Sequence, residues 1–289
     1  MRAPRVCLML GLLLSEAAVA VAASHAGPLI PRAALFGNPV RTQARLSPDG
    51  RYLSFLAPRD GVMNVWLAQP AALEAAKPIT NDRKRGIRQH LWAEDARHVL
   101  FLQDEGGDEN WRVYSVDIET GAQRDLTPLR KVQAQIVGLS HERPDVALIA
   151  LNERSAEWHD LYEINIASGE RKLIERNDQE FAGYVEDLQL RPQLAVKTLA
   201  DGGGELYRRT ERGWESFLRY GPADSLTTRP LVIEEGDGTA LMVSSVDRDK
   251  AALVRVELES GKQTVVGESD RSEERRVGKE CRSRWSPYH

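Results

Sequence analysis

Cysteine is nearly missing from this chain of 289 residues. Its two copies, Cys7 and Cys281, sit close to the ends. The long body between them therefore holds neither disulfides nor thiolate chemistry, and its stability must come from a packed core. Histidine is scarce as well. His25, His90, His98 and His141 are scattered, with no His-x-x-x-His pair or cysteine partner to suggest a metal site, so no metal and no cofactor are expected. Long apolar runs are also lacking. The longest, Val6 to Leu14, is too short for a membrane span, which needs about 20 residues.

That run has the setting of an export signal. Arg2 and Arg5 precede it, and Ala18-Val-Ala20 and Ala20-Val-Ala22 follow as small-x-small cleavage sites. A signal peptide over residues 1–22 and a periplasmic or secreted destination are expected, without a lipid anchor. At the other end, Arg271 to His289 is polar and mostly basic, with no apolar period. It resembles the in-frame translation of a sequencing adapter. On that reading the native sequence stops at Asp270, and the chain is a fragment with a lead-in segment at 23–42 and a folded part at 43–270. Setting aside the net +3 of the tail and the +1 of the leader, a chain of net charge −4 leaves a body of −8. Such an acidic body is a poor partner for nucleic acid.

What the body does have is a repeat of about 47 residues. Val113-Tyr-Ser-Val-Asp-Ile-Glu-Thr-Gly121, Leu161-Tyr-Glu-Ile-Asn-Ile-Ala-Ser-Gly169, Leu206-Tyr-Arg-Arg-Thr-Glu-Arg-Gly213 and Leu253-Val-Arg-Val-Glu-Leu-Glu-Ser-Gly261 share one pattern. Asn64-Val-Trp-Leu67 holds the same slot earlier. Each Thr-Gly or Ser-Gly reads as a hairpin turn that needs positive φ, joining a third strand to a fourth. Turns such as Leu46-Ser-Pro-Asp-Gly50 supply the inner hairpins, because Pro fixes φ and Gly accepts the left-handed region. Four short strands per repeat is the pattern of a β-propeller blade. The fold class is thus all-β, with five blades of four antiparallel strands starting near Gln43, Ile87, Val132, Phe181 and Thr227. The fourth is the weakest, since Pro192 interrupts its inner strands. Pro70-Ala-Ala-Leu-Glu-Ala-Ala-Lys77 is helix-like in composition and fits a loop insertion.

No catalytic constellation emerges. Gly138-Leu-Ser-His-Glu142 approaches a nucleophile elbow but lacks its closing glycine. Ser155, His159 and Asp160 have triad identities yet share one hairpin, too near in sequence to converge. The acidic loop Asp104-Glu-Gly-Gly-Asp-Glu-Asn-Trp111 misses calcium-loop spacing. In a propeller, the loops between second and third strands gather on one face. Asp60, Asp104, Glu105, Asp108, Glu109, Glu153, Glu157, Asp201, Asp247 and Asp249 would then ring one mouth of the channel. Arg59, Arg154, Arg248 and Lys250 would dilute that charge.

The succession Ile30-Pro-Arg-Ala-Ala-Leu-Phe-Gly-Asn-Pro39, Ala44-Arg-Leu-Ser-Pro-Asp-Gly-Arg-Tyr-Leu-Ser-Phe-Leu56, Asn64-Val-Trp-Leu67 and Gln103-Asp-Glu-Gly-Gly-Asp-Glu-Asn-Trp111 resembles the amino-terminal half of exported bacterial serine peptidases of the prolyl oligopeptidase family. The resemblance covers residues 29–270. It implies a propeller of seven blades capping an α/β-hydrolase domain, with short peptides as substrates. The family's Ser, Asp and His follow the propeller, and no position here matches them, so no catalytic residue is carried over. Two blades and the hydrolase domain are expected to be missing, and the first and last blades to expose apolar faces. The alternative is a non-catalytic periplasmic propeller resembling TolB-type scaffolds, which bind protein or peptide.

Overall fold

The computed structural model describes residues 29–37, 40–236 and 238–269. The leader of residues 1–22 and the string from Arg271 lie outside them. Ahead of Val40, a small separate unit holds one five-residue helix, α1 (Arg32–Phe36), with Leu35 and Phe36 exposed.

From Thr42 onward the repeat becomes five four-stranded antiparallel sheets. The first contains β1 (Thr42–Leu46), β2 (Leu53–Arg59), β3 (Val62–Ala68) and β4 (Lys77–Pro78). The second contains β5 (Gln89–Trp92), β6 (His98–Gln103), β7 (Arg112–Asp117) and β8 (Gln123–Asp125). The third runs through β9 (Ala134–Ser140), β10 (Arg143–Leu151), β11 (Asp160–Asn165) and β12 (Arg171–Glu175). The fourth has β13 (Gly183–Glu186), β14 (Pro192–Thr198), β15 (Gly204–Thr210) and β16 (Gly213–Tyr220). The fifth has β17 (Arg229–Glu234), β18 (Thr239–Ser244), β19 (Ala252–Glu257) and β20 (Gln263–Gly267). Strands follow chain order within every sheet, so each first strand is an edge. β1 lies beside β5, β9 beside β13, and β13 beside β17, which puts these edges on one inner wall.

The shared hairpin has one physical cause in three blades. The N–H of Gly121 donates to Asp117 O, that of Gly169 to Asn165 O and that of Gly261 to Glu257 O, each at 2.8 Å. Those glycines have φ of 72°, 76° and 72°, a region that a Cβ makes costly. Blade four departs from this. There Thr210 pairs directly with Gly213, leaving a two-residue turn of Glu211 and Arg212, so Gly213 opens β16 and is not a turn glycine. Pro192 does not interrupt the blade. It occupies the first position of β14, where its missing N–H removes nothing from the ladder's interior.

Blade faces pack on each other in sequence. Leu56 and Val65 of the first blade meet Val99, Phe101 and Val116 of the second. Leu100 and Val113 meet Ala147, Ile149 and Ile164 of the third. Leu148 and Leu161 meet Leu190 of the fourth, and Leu206 meets Met242, Val254 and Val256 of the fifth. The repeated aromatics take equivalent third-strand places. Trp66, Tyr114, Tyr162 and Tyr207 lie across from Phe55, Phe101, Ile149 and Ala195 of the second strands. Tyr114 and Tyr162 face the preceding blade, and Tyr114 stacks on Phe101 at 5.2 Å, an arrangement worth about 0.5–1.5 kcal/mol beyond area burial.

The outermost faces differ from expectation on one side. On the first blade, Phe55, Ala57 and Ala68 are buried, because Leu73 and Ala76 fold over them and Arg41 covers the Phe55 ring at 5.1 Å. The insertion that places Leu73 there is a single 3-10 turn at Leu73–Ala75. On the fifth blade, Leu231, Val232 and Val266 are exposed.

Buried threonines lock strands three and four to the connector. The N–H of Val65 donates to Thr80 Oγ1 at 2.9 Å, and the N–H of Val113 to Thr127 Oγ1 at 3.0 Å. Thr80 in turn donates to Asn64 Oδ1 at 2.8 Å. Replacing either threonine by valine keeps the shape but strands a buried N–H, which costs about 1–3 kcal/mol. T80V and T127V are therefore expected to lower the urea midpoint by comparable amounts, whereas T120V in an exposed turn leaves it unchanged. A null effect at Thr127 alone would mean that the two blades are not equivalent here.

Candidate functional site

The nearest thing to a triad is an ion-pair clamp. Asp160 is buried and accepts from Arg154 Nε at 3.0 Å, Arg154 Nη2 at 2.8 Å and the N–H of Asn177 at 2.8 Å. Burial pushes its pKa up, but these bonds outweigh it and hold the carboxyl below its ordinary value. Ser155 Oγ accepts the N–H of Trp158 at 3.3 Å, and His159 Nε2 meets no partner among the described residues. Neither bonds the other, so no relay exists. Ser140 is equally committed. Its Oγ donates to Leu188 O at 2.5 Å, tying the third blade to the fourth.

The remaining histidines do separate jobs. His98 Nδ1 lies 2.5 Å from Asp95 Oδ2, His141 is exposed and His25 lies outside the described residues. Among the described residues no group of three or more His, Cys, Asp or Glu is placed to hold a metal ion.

The acidic loops between second and third strands do share one end of the blades. Their charge is offset by arginines that the sequence reading did not choose. Arg85 reaches Asp104 at 3.2 Å, Arg112 reaches Glu105 at 3.0 Å and Arg171 reaches Glu153 at 2.8 Å. Arg154, expected to dilute the mouth, is spent on Asp160 and Asp178. The Asp108 carboxylate caps its own loop, accepting from the N–H of Glu105 and from Asn110. Arg85 comes from the connector before β5 and Arg171 from β12, each 18 or 19 residues from its partner, whereas Arg112 opens the strand that follows the loop.

A different feature stands on the inner wall. A cavity of about 970 Å³ opens between β1, β5 and β9. Gln43 and Arg45 come from β1, Arg88 and Gln89 from the start of β5, and Gln133 and Gln135 from β9 and the residue before it. Trp111 lies at its side, and the Arg88 guanidinium is 5.5 Å from the Trp111 ring centre. Gln43 Nε2 donates to Arg88 O at 2.7 Å, and Gln133 Nε2 to Glu109 O at 3.4 Å. His90 also lines the cavity and is fully buried, with Nε2 at 2.9 Å from Ser54 Oγ and Nδ1 unpartnered. Burial, then the Arg45 charge, brings its pKa down to about 4.

This shift has a sign that can be read. An unfolded histidine protonates near pH 6.5, while folded His90 stays neutral down to about pH 4. Between those values the unfolded chain binds the extra proton. The stability contributed by the neutral ring is complete above pH 6.5 and is lost as pH falls toward 4. H90Q removes this dependence. Its melting temperature should fall less than that of the unsubstituted chain across that window, the difference reaching the order of 3 kcal/mol at the acid end. Parallel curves would show that His90 titrates normally in the fold.

Comparison with known proteins fits this architecture. No family model matches the chain. Dipeptidyl aminopeptidase BIII of Pseudoxanthomonas mexicana is 41% identical over 261 residues, which is 90% of this chain and 38% of that protein. Dipeptidyl peptidase family member 6 of Caenorhabditis elegans is 26% identical over 259 residues, covering 84% of this chain and 35% of its own length. The chain thus spans little more than a third of the curated relatives it matches. A puromycin-hydrolyzing peptidase of Mycobacterium tuberculosis superposes with a TM-score of 0.54 at 14% identity, over 78% of this chain and 37% of that one. Over its five blades the chain is thus similar in sequence to a dipeptidyl aminopeptidase and in fold to a solved peptidase structure.

Proposed function

We propose that these blades form the substrate-gating propeller of an exported serine peptidase that hydrolyses short peptides, with catalysis carried by residues outside the described ones. The observation that carries this reading is the 41% identity to a dipeptidyl aminopeptidase, confined to 38% of its length. Physical chemistry supports the division of labour. Every serine weighed as a nucleophile is bound into a turn or an inter-blade link, and none has a histidine base beside it. A wall of packed blades, by contrast, is rigid and presents its inner edges to whatever passes. That suits selection by size rather than bond cleavage. The leader of residues 1–22 supports a periplasmic or secreted location.

The native gene read past codon 270 should continue into a Gly-x-Ser-x-Gly elbow followed by Asp and His. Its product should release dipeptides from fluorogenic substrates. The 289-residue chain itself should hydrolyse nothing and take no fluorophosphonate label. Stoichiometric labelling at Ser140 or Ser155 would overturn the proposal, and a stop shortly after codon 270 would favour a TolB-like scaffold. An alkaline phosphatase fused after Ala22 should be active only if the leader exports it.

A further inference from the structure

The cavity on the inner wall has a charge opposite to that of the protein. The chain carries net −4, and its body between leader and tail −8. Yet the residues lining the cavity include two arginines, four glutamines and a buried histidine, and no aspartate or glutamate. Most arginines described above are bound to carboxylates. Arg45 and Arg88 are exposed and make no ion pair with any described residue, and the Arg88 guanidinium lies over the Trp111 ring. A carboxyl does come close to the lining, that of Glu186 of β13, which packs where a Cβ on Gly138 would collide with it. Burial pushes its pKa up.

The wall also offers neutral hydrogen-bonding groups. β1, β5 and β9 are each the first strand of their sheet, so one side of each backbone is left without a sheet partner. Four glutamines line the cavity, Gln133 and Gln135 two residues apart at β9, Gln43 on β1 and Gln89 on β5. An amide can both donate to and accept from a peptide group. Guanidinium forks bind carboxylates with two parallel bonds. The volume of about 970 Å³ lies within the range of peptide-sized and drug-sized ligand sites.

We infer that this cavity is a binding site for acidic peptides, with Arg45 and Arg88 taking side-chain carboxylates and the glutamines and free strand edges taking the backbone. The site would favour acidic over basic peptides before any of them met a catalytic group. This deepens the peptidase reading by naming a substrate class, and it rests on that reading only in taking the ligand to be a peptide.

Binding is measured on the complete 289-residue chain, by calorimetry and by Trp111 fluorescence, at low ionic strength. The probes are acetylated, amidated pentaglutamate, pentaglutamine and pentalysine, and inorganic phosphate. Pentaglutamate should bind best, pentaglutamine more weakly and pentalysine not at all. R45Q and R88Q should each weaken pentaglutamate about tenfold while leaving pentaglutamine unchanged, as expected for loss of one charge-assisted contact. R51Q, which sits in the exposed β1–β2 turn on Asp49, is the control and should have no effect. Circular dichroism melts check each variant. Should R88Q unfold through loss of its Trp111 contact, exposed Arg45 carries the test alone. Equal binding of the acidic and basic peptides, or unchanged binding by R45Q, would overturn the inference. So would phosphate binding as tightly as pentaglutamate, which would make this a general anion site. Peptide release by the longer gene product is a separate readout, so the peptidase reading and the acidic preference can fail independently.

Discussion

A four-stranded blade has two apolar faces and cannot bury either by itself; the rest of this structure follows from that constraint. The third strand shows how it is met. Its aromatic residue, Tyr114 or Tyr162, is directed toward the blade before, while the aliphatic residue beside it, Val113 or Leu161, is fully buried toward the blade after. Alternation with a period of two sends successive residues to opposite neighbours. Each strand thus serves two interfaces at once, and stability accrues through nearest neighbours rather than around one centre. Where no further blade follows among the described residues, the rule leaves Leu231, Val232 and Val266 exposed. Where none precedes, the same problem is solved by an insertion, with Leu73 and Ala76 standing in for a neighbouring sheet.

The repeat was legible because its markers are backbone demands. Only a residue tolerant of positive φ can close the third hairpin, so Gly121, Gly169 and Gly261 recur at fixed places and the blades can be counted. Gly213 looked like a member of the series by spacing alone. Its hairpin is shorter, and its identity as a turn residue did not survive, although the strand it opens did. Pro192 misled in the other direction, since a proline is harmless at a strand's first residue. The electrostatics were far less legible. The acidic loops could be read from their sequence, but two of their partners, Arg85 of the connector before β5 and Arg171 of β12, are brought to them by the fold. The inner cavity was not visible at all. It is assembled from Arg45, Arg88, Trp111 and Gln135, which span three blades and share no motif.

These two distributions of charge answer different physical needs. At the mouth, carboxylates and guanidinium groups lie within hydrogen-bond reach of one another. Several of those carboxylates are solvent-exposed, so their pairing contributes little to stability, yet it cancels the field a passing ligand would meet. On the inner wall Arg45 and Arg88 are left without a carboxylate in a chain that has an excess of them. His90 beside them is kept neutral and adds no further charge at neutral pH. Hydrophobic packing dictates neither arrangement, because Arg45 and Arg88 are exposed and belong to none of the apolar clusters that join blades. Such exposed positions on the wall are therefore the ones whose chemistry can vary with least disturbance to the fold. A propeller that must pass some peptides and hold others has its selectivity available there, on the strand edges that packing leaves over.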